Sequence, residues 1–177
     1  IGVYPEDGLD TGSLTRNTET AMYQAKDAGR NNFKYFTAGM NQAMFARMEL
    51  EQRLRRAVAQ NEFALHYQPI VDMQTGSVCS VEALIRWQDP ELGLIPPDQF
   101  IPLAEETGLI EPMGEWVLNQ AMHDLRQWQK SGLNINVAIN VSSRQCINTR
   151  GMGFDQVLQE CFNRHHVNPR NVHIEIT

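Results

Sequence analysis

The sequence predicts an α/β fold in which strands and helices alternate along the chain. Short apolar stretches with a two-residue period occur at residues 63–70, 81–87, 135–141 and 172–177, and this period is typical of β-strands. Longer stretches between them repeat their apolar side chains every three to four residues, as helices do. Because strands that alternate with helices pair in parallel through right-handed crossovers, we expect a largely parallel sheet covered by helices.

Residues 1–37 form a smaller pattern of their own. A strand-like stretch opens the chain, Asp7-Gly8 marks a turn, and a helical repeat follows to Ala25. Gly29 stands where this helix would end in a left-handed cap. Residues 32–36 then alternate as a second short strand.

A helix is predicted from about residue 41 to residue 60, within a connecting segment at 38–60. Its apolar side chains recur near the helical period, at Met44, Met48, Leu54 and Val58. Two interpretations fit such a connector: its apolar face packs on a neighbouring domain, or the helix transmits motion between domains.

The sheet is expected to begin with a hairpin. Turn residues occupy 72–76, so the strand that contains Glu82 should return antiparallel beside the strand at 63–70. A helix opens at Pro96-Pro97-Asp98 and runs to about Glu106. The elements that follow are a helix at 113–130 ending near Gly132, a strand at 135–141, a helix around 154–162 and a strand at 172–177.

Three of these strands carry an oxygen-bearing side chain opposite an aliphatic face. Glu82, Asn140 and Glu175 each point away from the aliphatic neighbours on their own strands. Aliphatic faces suit packing against helices, so the polar faces should point away from the helices, and parallel sheets of this kind carry their sites at the strands' carboxyl ends. Two carboxylates and an amide oxygen are hard ligands, suited to Mg²⁺ or Mn²⁺. For Glu82 alone, pairing with a cationic side chain is the competing interpretation.

Glu82 and Arg86 share a face of their strand but lie roughly 13 Å apart along it. That separation is too long for an ion pair, so each side chain needs a partner of its own. A metal for Glu82 and a phosphate for Arg86 would meet both needs, and a structural ion pair is the alternative for Arg86.

Several runs together carry a resemblance to a known family. They are Tyr67-Gln68-Pro69-Ile70-Val71-Asp72, Glu82-Ala83-Leu84, Trp87-Gln88-Asp89-Pro90, Phe100 to Ile110, Asn140-Val141-Ser142 and Ile174-Glu175-Ile176-Thr177. In this order and spacing they resemble the EAL family of cyclic di-GMP phosphodiesterases, over about residues 50–177. The resemblance implies a modified, TIM-like (β/α)₈ barrel whose first strand runs antiparallel. Such barrels take about 250 residues, so residues 61–177 are expected to form roughly its N-terminal half.

The same resemblance implies metal-dependent hydrolysis of cyclic di-GMP to linear pGpG. It assigns metal binding to Glu82, Asn140 and Glu175, with Mg²⁺ or Mn²⁺ as the cofactor. It assigns the substrate site to Gln68, Leu84 and Arg86, while satisfying backbone groups at a strand end is the alternative role of Gln68. Glu105 and Glu106 are expected at a solvated helix end. His66 and His123 are expected to be structural or exposed, and His165-His166, which precede a loop, are not expected to bind a metal.

Residues 1–37 resemble a different family. Residues 1–8, 21–26 and 29–31 look like the last strand and helix of a GGDEF domain, the diguanylate cyclase fold. Lys26 and Arg30 match residues that lie near the nucleotide phosphates in that family. The Gly-Gly-Asp-Glu-Phe loop is absent from the sequence, so we expect no cyclase activity from this segment.

The composition of the sequence argues against several classes of function. The net charge of −6 argues against a surface for nucleic-acid polymers. No apolar run of about 18 residues occurs, so we expect no membrane contact by this segment. The cysteines Cys79, Cys146 and Cys161 show no metal-binding spacing, which favours reduced thiols and a cytoplasmic location. A cytoplasmic location is compatible with an upstream segment that anchors the natural protein to the inner membrane. The expected partners are cyclic di-GMP and a second copy of the protein.

Both ends of the sequence lie in strand-like stretches, so we expect a fragment of a GGDEF–EAL protein. The family's general base would follow Thr177, and we expect the 177 residues alone to be inactive and poorly stable. Two functions stay open for the natural protein. It is an active phosphodiesterase, or it is a catalytically inactive cyclic di-GMP receptor or regulatory protein-interaction module. The three matching metal ligands favour the enzyme.

Overall fold

The computed structural model describes residues 1–147 and 153–177. Its helices are α1 (Thr11–Asp27), α2 (Ala38–Gln60), α3 (Pro97–Thr107), α4 (Ile110–Lys130), α5 (Ser143–Ile147) and α6 (Phe154–His165). Its strands are β1 (Phe63–Val71), β2 (Val78–Asp89), β3 (Gly93–Ile95), β4 (Asn136–Val141) and β5 (Val172–Ile176). The chain divides into two compact units, Ile1–Gln52 and Arg53–Thr177, and the boundary between them falls inside α2.

Helix α1 of the first unit begins with a reciprocal cap. Asp10 Oδ1 accepts a hydrogen bond from the Ser13 N–H at 2.9 Å, and Ser13 Oγ accepts one from the Asp10 N–H at 3.4 Å. These bonds satisfy amide groups that the first turn of a helix leaves without partners. The bonds from the Ser13 backbone and side chain also lower the pKa of Asp10. Beyond the helix, Gly29 has a φ of +94°, as the predicted left-handed cap requires.

The two strands predicted in the first unit are wrong. Neither residues 1–4 nor residues 32–36 form a β-strand. The segments do meet, because the Ile1 amino group donates to the Lys34 carbonyl and the Phe36 N–H donates to the Ile1 carbonyl at 2.8 Å. Two such bonds hold extended segments together, but a stable sheet needs more strands beside them.

The sheet of the second unit has the strand order β1-β2-β4-β5, with β3 attached to β2. The β1–β2 pair is antiparallel, whereas β2–β4 and β4–β5 are parallel. The predicted hairpin, the antiparallel first strand and the parallel pairing after it are therefore confirmed. Strand β3 was not predicted. Its three residues fold back on the end of β2, where Ile95 pairs with Trp87.

One face of this sheet packs against α4 and α6. The aliphatic residues of β2 and β4 are buried there, and Val137 and Ile139 are at most 1% exposed. Fully burying an aliphatic side chain of this size contributes about 1.5–3 kcal/mol. The partners of these strand residues include Val117, Leu118, Ala121, Met122 and Leu125 of α4, and Cys161 of α6. This packing leaves the other face of the sheet to the polar residues.

An aromatic cluster closes the core beside α3. Trp87 and Phe100 are both 0% exposed, and their rings meet edge to face with centroids 5.6 Å apart. Phe63 and Trp116 extend the cluster, since the Phe63 ring lies 5.8 Å from the Trp116 ring. The Trp87 indole N–H donates to Glu62 at 3.3 Å, so the buried ring keeps a polar partner.

Within the second unit, the last part of α2 is joined to the end of β2 by a buried carboxylate. Asp89 is 1% exposed and receives hydrogen bonds from Arg53 at 3.2 Å and from Arg56 at 2.8 Å. It also accepts the N–H groups of Glu91 and Leu92, each at 2.8 Å. Burial opposes ionisation of Asp89, but these hydrogen bonds and the Arg53 charge outweigh it and lower its pKa.

Most helices of the second unit confirm the predicted pattern with shifted ends. Helix α4 begins at Ile110 rather than near 113, and β4 begins at Asn136 rather than at 135. The five-residue helix α5 was not predicted, because one turn is too short to show a period. Among the described residues, no helix is both long enough and apolar enough to cross a membrane.

Candidate functional site

The polar face of the sheet gathers side chains from four neighbouring strands. Gln68 of β1 lies directly opposite Glu82 of β2 in the antiparallel register. Asn140 of β4 lies opposite Glu175 of β5 in the parallel register. The alternation of side chains across each strand puts all four on the face away from α4 and α6. The three predicted metal ligands therefore occupy adjacent parallel strands.

The side chains of Glu82 and Asn140 are in direct contact. Asn140 Nδ2 donates a hydrogen bond to Glu82 Oε1 at 2.7 Å, and both residues are half-buried. The bond turns the amide nitrogen of Asn140 toward Glu82 and leaves its Oδ1 oxygen available to a cation. Glu82 keeps its second carboxylate oxygen for the same purpose.

Glu175 is the exposed member of the group. Its Cα pairs with that of Asn140 on the next strand, so the two side chains leave the same face of the sheet. Two carboxylates and one amide oxygen form a hard donor set, which fits Mg²⁺ or Mn²⁺ and leaves further positions for water or a phosphate oxygen. Among the described residues, no group of three or more His, Cys, Asp and Glu side chains could hold a metal ion. The donor set is therefore partial and depends on the Asn140 oxygen.

A cavity of about 270 Å³ opens at the carboxyl ends of β2 and β4. Leu84 and Arg86 of the predicted substrate-binding set line it, and Asn140 lines it too. Gln68 is exposed and is not among the residues that line this cavity. The other described residues around the cavity include the apolar Pro97, Ile101, Ile110, Met113 and Val117 and the polar Glu105, Ser142, Gln145 and Thr177.

Within the described part of the chain, the Arg86 side chain donates a hydrogen bond to a backbone carbonyl. Its Nη1 donates to the Ile85 carbonyl at 2.8 Å, and the side chain is half-buried at the edge of the cavity. A guanidinium has five N–H donors, so this single bond leaves donors for an anionic or carbonyl-rich ligand.

Glu105 was expected at a solvated helix end, and that expectation is wrong. The residue is half-buried, lines the cavity and accepts a hydrogen bond from the Ser142 hydroxyl at 2.6 Å. Its own carbonyl accepts one from Arg144 Nη1 at 2.7 Å. The contacts arise because α3 packs beside the end of β4, which sequence periodicity does not reveal. Glu106, the next residue along, is exposed as expected.

Gln145 also belongs to the site and was missed by reasoning from the sequence. It is 5% exposed, and its Oε1 accepts the Ser142 N–H at 2.9 Å. The side chain lies on Gly114 of α4, where an added Cβ would come within 1.7 Å of Gln145 Nε2. Two signals were available: the Ser142-x-x-Gln145 spacing of a capping box, and a glycine inside an amphipathic helix.

Two histidines share the polar face of the sheet: His66 pairs with Leu84 across β1 and β2, and His173 lies two residues before Glu175 on β5. His66 and His123 are exposed, and His166 ends α6 with a φ of +54°. His165 Nε2 lies 3.1 Å from Asn119 Oδ1. Burial and the electrostatic effects of His123 and Arg164 lower the pKa of His165.

Comparison with known proteins identifies the second unit. The sequence model of the family described as "EAL domain" matches residues 51–177. Cyclic di-GMP phosphodiesterase PdeR of Escherichia coli is 45% identical over 161 residues, which is 90% of this chain and 24% of PdeR. The bifunctional diguanylate cyclase/cyclic di-GMP phosphodiesterase MucR of Pseudomonas aeruginosa is 40% identical over 178 residues, which is 100% of this chain and 26% of MucR. The chain thus spans about a quarter of the length of these two relatives.

Solved structures show the same fold. The phosphodiesterase of P. aeruginosa MucR in complex with c-di-GMP superposes with a TM-score of 0.66 and 39% identity, over 71% of this chain and 50% of that one. The EAL enzyme Bd1971 in its cGMP-bound form superposes with a TM-score of 0.70 and 26% identity, over 93% of this chain and 45% of that one.

Proposed function

The chain belongs to the EAL domain family, and from that premise we propose that the natural protein hydrolyses cyclic di-GMP to linear pGpG with Mg²⁺ or Mn²⁺ as cofactor. The observation that carries the proposal is the 2.7 Å contact between Asn140 and Glu82, with Glu175 on the next strand. Support also comes from PdeR and MucR, which are described as cyclic di-GMP phosphodiesterases.

The proposed roles follow from the chemistry of each side chain. A divalent cation bound here would activate water and stabilise negative charge on the attacked phosphodiester. Glu82, Asn140 and Glu175 would hold it through oxygen atoms, and the hydrogen bond between the first two keeps the Asn140 amide in one orientation. Leu84 would supply an apolar wall for the substrate.

Arg86 and Gln68 are proposed to position the substrate. Arg86 would donate from its guanidinium to a phosphate or a guanine, because its planar donors suit either group. Gln68 faces Glu82 across the β1–β2 pair and would offer its amide at the exposed side of the metal site. It is the member of the proposed substrate-binding set that does not line the cavity.

The 177 residues by themselves are proposed to be inactive. Their described part offers two carboxylates and one amide oxygen at the metal site, whereas two-metal catalysis needs a fuller set of oxygen ligands and a group that accepts a proton from water. We therefore assign turnover to the natural protein and not to this stretch alone.

Residues 1–37 are proposed to be the C-terminal end of a GGDEF domain. Support comes from MucR, a bifunctional diguanylate cyclase and phosphodiesterase that aligns with the whole of this chain. A homodimer of the natural protein is the proposed assembly, and size-exclusion chromatography with light scattering would test it.

The test of the proposed function is hydrolysis of cyclic di-GMP by the natural protein, followed by chromatographic separation of the nucleotides. Wild-type protein with Mg²⁺ or Mn²⁺ should produce linear pGpG, and Glu82→Ala should produce none. Glu160→Ala, an exposed carboxylate on α6, serves as the matched control and should keep wild-type activity. Binding of cyclic di-GMP without any product would instead identify a receptor.

A further inference from the structure

We propose that Glu105 is a positioning residue of the metal site, because its carboxylate holds Ser142 and thereby fixes the end of β4 that carries Asn140. The inference rests on the proposed function and deepens it. Glu105 lies outside both the predicted ligand set and the predicted substrate-binding set.

The contact between Glu105 and Ser142 is short and charged. The Ser142 hydroxyl donates to Glu105 Oε1 at 2.6 Å, within the range of hydrogen bonds to carboxylates. Ser142 is 6% exposed, so water cannot easily replace the carboxylate. The same hydroxyl oxygen accepts the Arg144 N–H at 3.3 Å. The hydroxyl is therefore oriented from two sides.

The backbone of Ser142 is fixed by further bonds. Its N–H donates to Gln145 Oε1 at 2.9 Å, and its carbonyl accepts the Gln145 N–H at 2.9 Å. Gln145 in turn rests on Gly114 of α4. On the other side, the Thr177 N–H donates to the Val141 carbonyl and the Thr177 carbonyl accepts the Ser143 N–H, both at 3.0 Å. The end of β4 is thus held by α3, α4 and the end of β5.

Ser142 lies close in the chain to Asn140, a proposed ligand of the metal site. Ser142 directly follows Val141, the last residue of β4, and one residue separates it from Asn140, so a shift of Ser142 displaces the end of the strand that carries Asn140. Asn140 must stay within hydrogen-bond distance of Glu82 to present its oxygen beside the two carboxylates. Residues that orient a metal ligand in this way typically change metal affinity or activity by about 10–100-fold when they are replaced.

The experiment compares variants of the natural protein by their affinity for Mn²⁺, measured from the electron paramagnetic resonance signal of the free ion. Ser142→Ala removes the donor, and Glu105→Met removes the acceptor with little change in size. Ser142→Thr and Glu105→Gln keep a hydroxyl and an acceptor oxygen. Glu106→Gln, on the exposed side of the same helix, is the charge control.

We expect Ser142→Ala and Glu105→Met each to weaken Mn²⁺ binding by about 10-fold. The double variant should lose no more than either single variant, because both remove one interaction. Ser142→Thr, Glu105→Gln and Glu106→Gln should bind Mn²⁺ as the wild type does. For Ser142→Ala, kcat at limiting Mn²⁺ should fall and recover when Mn²⁺ is raised, while KM for cyclic di-GMP stays near its wild-type value.

The positioning role is overturned if Ser142→Ala and Glu105→Met bind Mn²⁺ with wild-type affinity. It is also overturned if the conservative variants lose as much affinity as the disruptive ones, or if the wild type binds no Mn²⁺. The proposed function fails separately, when the wild type binds Mn²⁺ but yields no pGpG. In that case the differences in Mn²⁺ affinity still decide the role of Glu105.

Discussion

Asn140 donates a hydrogen bond to Glu82 across two adjacent parallel strands, although the two residues are 58 positions apart in the sequence. The bond joins an amide to a carboxylate at 2.7 Å on the face of the sheet that helices α4 and α6 leave uncovered. An amide beside a carboxylate satisfies both groups while no cation is bound, and both retain oxygen atoms that can bind one. The hydrogen bond therefore fixes the positions of the two side chains relative to each other.

Asn140→Ala should abolish tight metal binding in the natural protein. The change removes one proposed ligand and the hydrogen bond that orients Glu82. The loss of metal affinity should therefore exceed the ~10–100-fold loss that is typical when a residue that only orients a metal ligand is replaced. Isothermal titration with Mn²⁺ measures it. Asn163→Ala, an exposed asparagine on α6, is the control. Unchanged Mn²⁺ affinity in Asn140→Ala would contradict the assigned ligand.

Gly114→Ala should destabilise the protein, contrary to the usual effect of removing a helical glycine. Such a change normally gains about 0.5–1 kcal/mol. Here the new Cβ would lie 1.7 Å from Gln145 Nε2, so Gln145 must move and leave the buried Ser142 N–H without its acceptor. An unsatisfied buried donor costs about 1–3 kcal/mol, which gives a net loss of up to about 2.5 kcal/mol in urea unfolding.

Two control variants test whether the contact with Gln145 causes this loss of stability. Gly39→Ala in α2 places a Cβ with nothing within 4 Å and should not destabilise. Combining Gly114→Ala with Gln145→Ala removes the clash, so it should cost less than the sum of the two single changes. A stabilised Gly114→Ala protein would show that Gln145 moves freely.

Asp89→Asn should destabilise the second unit by about 1–3 kcal/mol, because two arginines lose the charge of a buried hydrogen-bond partner. Asp89 has a lowered pKa when folded, so its contribution is fully present above its unfolded pKa of about 3.9. That contribution is lost as the pH falls through the folded pKa. Urea unfolding from pH 7 down to pH 3 should therefore show a steeper loss for the wild type than for Asp89→Asn. Parallel curves would refute this role.

Tyr67→Phe should destabilise the packing of β1 on α4. The Tyr67 hydroxyl donates to Asp124 Oδ2 at 2.6 Å, and its ring meets Trp128 edge to face at 4.7 Å. The phenylalanine keeps the ring contact and loses the hydrogen bond to a carboxylate, which contributes about 1.5–3 kcal/mol when buried and less here, where the pair is half-buried. Thermal unfolding measures the loss.

The contact between Tyr67 and Asp124 also predicts how Tyr67 titrates at high pH. Burial, the hydrogen bond to Asp124 and the charge of Asp124 all raise the pKa of Tyr67 far above its ordinary value of about 10. A raised pKa means that the contribution is present below the unfolded pKa and is lost as the pH rises through the folded one. In a spectrophotometric titration near 295 nm, one of the four tyrosines should ionise last, and Tyr67→Phe should remove that step.

The sheet could be predicted because its strands repeat every two residues and its hairpin has a clear turn. The same alternation is enough to predict that Glu82, Asn140 and Glu175 share one face of the sheet. Strand β3 and helix α5 escaped because elements of three and five residues are too short to show a period. The strands predicted at the start of the chain failed for a different reason: their alternation is local, whereas a stable sheet needs three or more strands beside one another.

The contacts of Glu105 could not be predicted from periodicity. Its position near the end of an amphipathic helix is typical of a solvated residue, and only the packing of α3 beside β4 brings it to Ser142. The Gln145 side chain can lie against α4 only because residue 114 is a glycine. Glu105 therefore belongs to the site through tertiary packing, whereas the Ser142-x-x-Gln145 spacing and the glycine inside α4 were signals in the sequence for Gln145.

The antiparallel direction of β1 determines where the polypeptide enters the sheet. Phe63 at the start of β1 pairs with Trp87 near the end of β2, so the chain arrives from α2 at the edge where the parallel strands finish. A first strand running parallel would begin at the opposite edge, about 30 Å away for a strand of nine residues. Glu62, whose carbonyl accepts the Gln88 N–H at 3.0 Å, thus marks the entrance of the chain into the domain, on the same rim as the cavity.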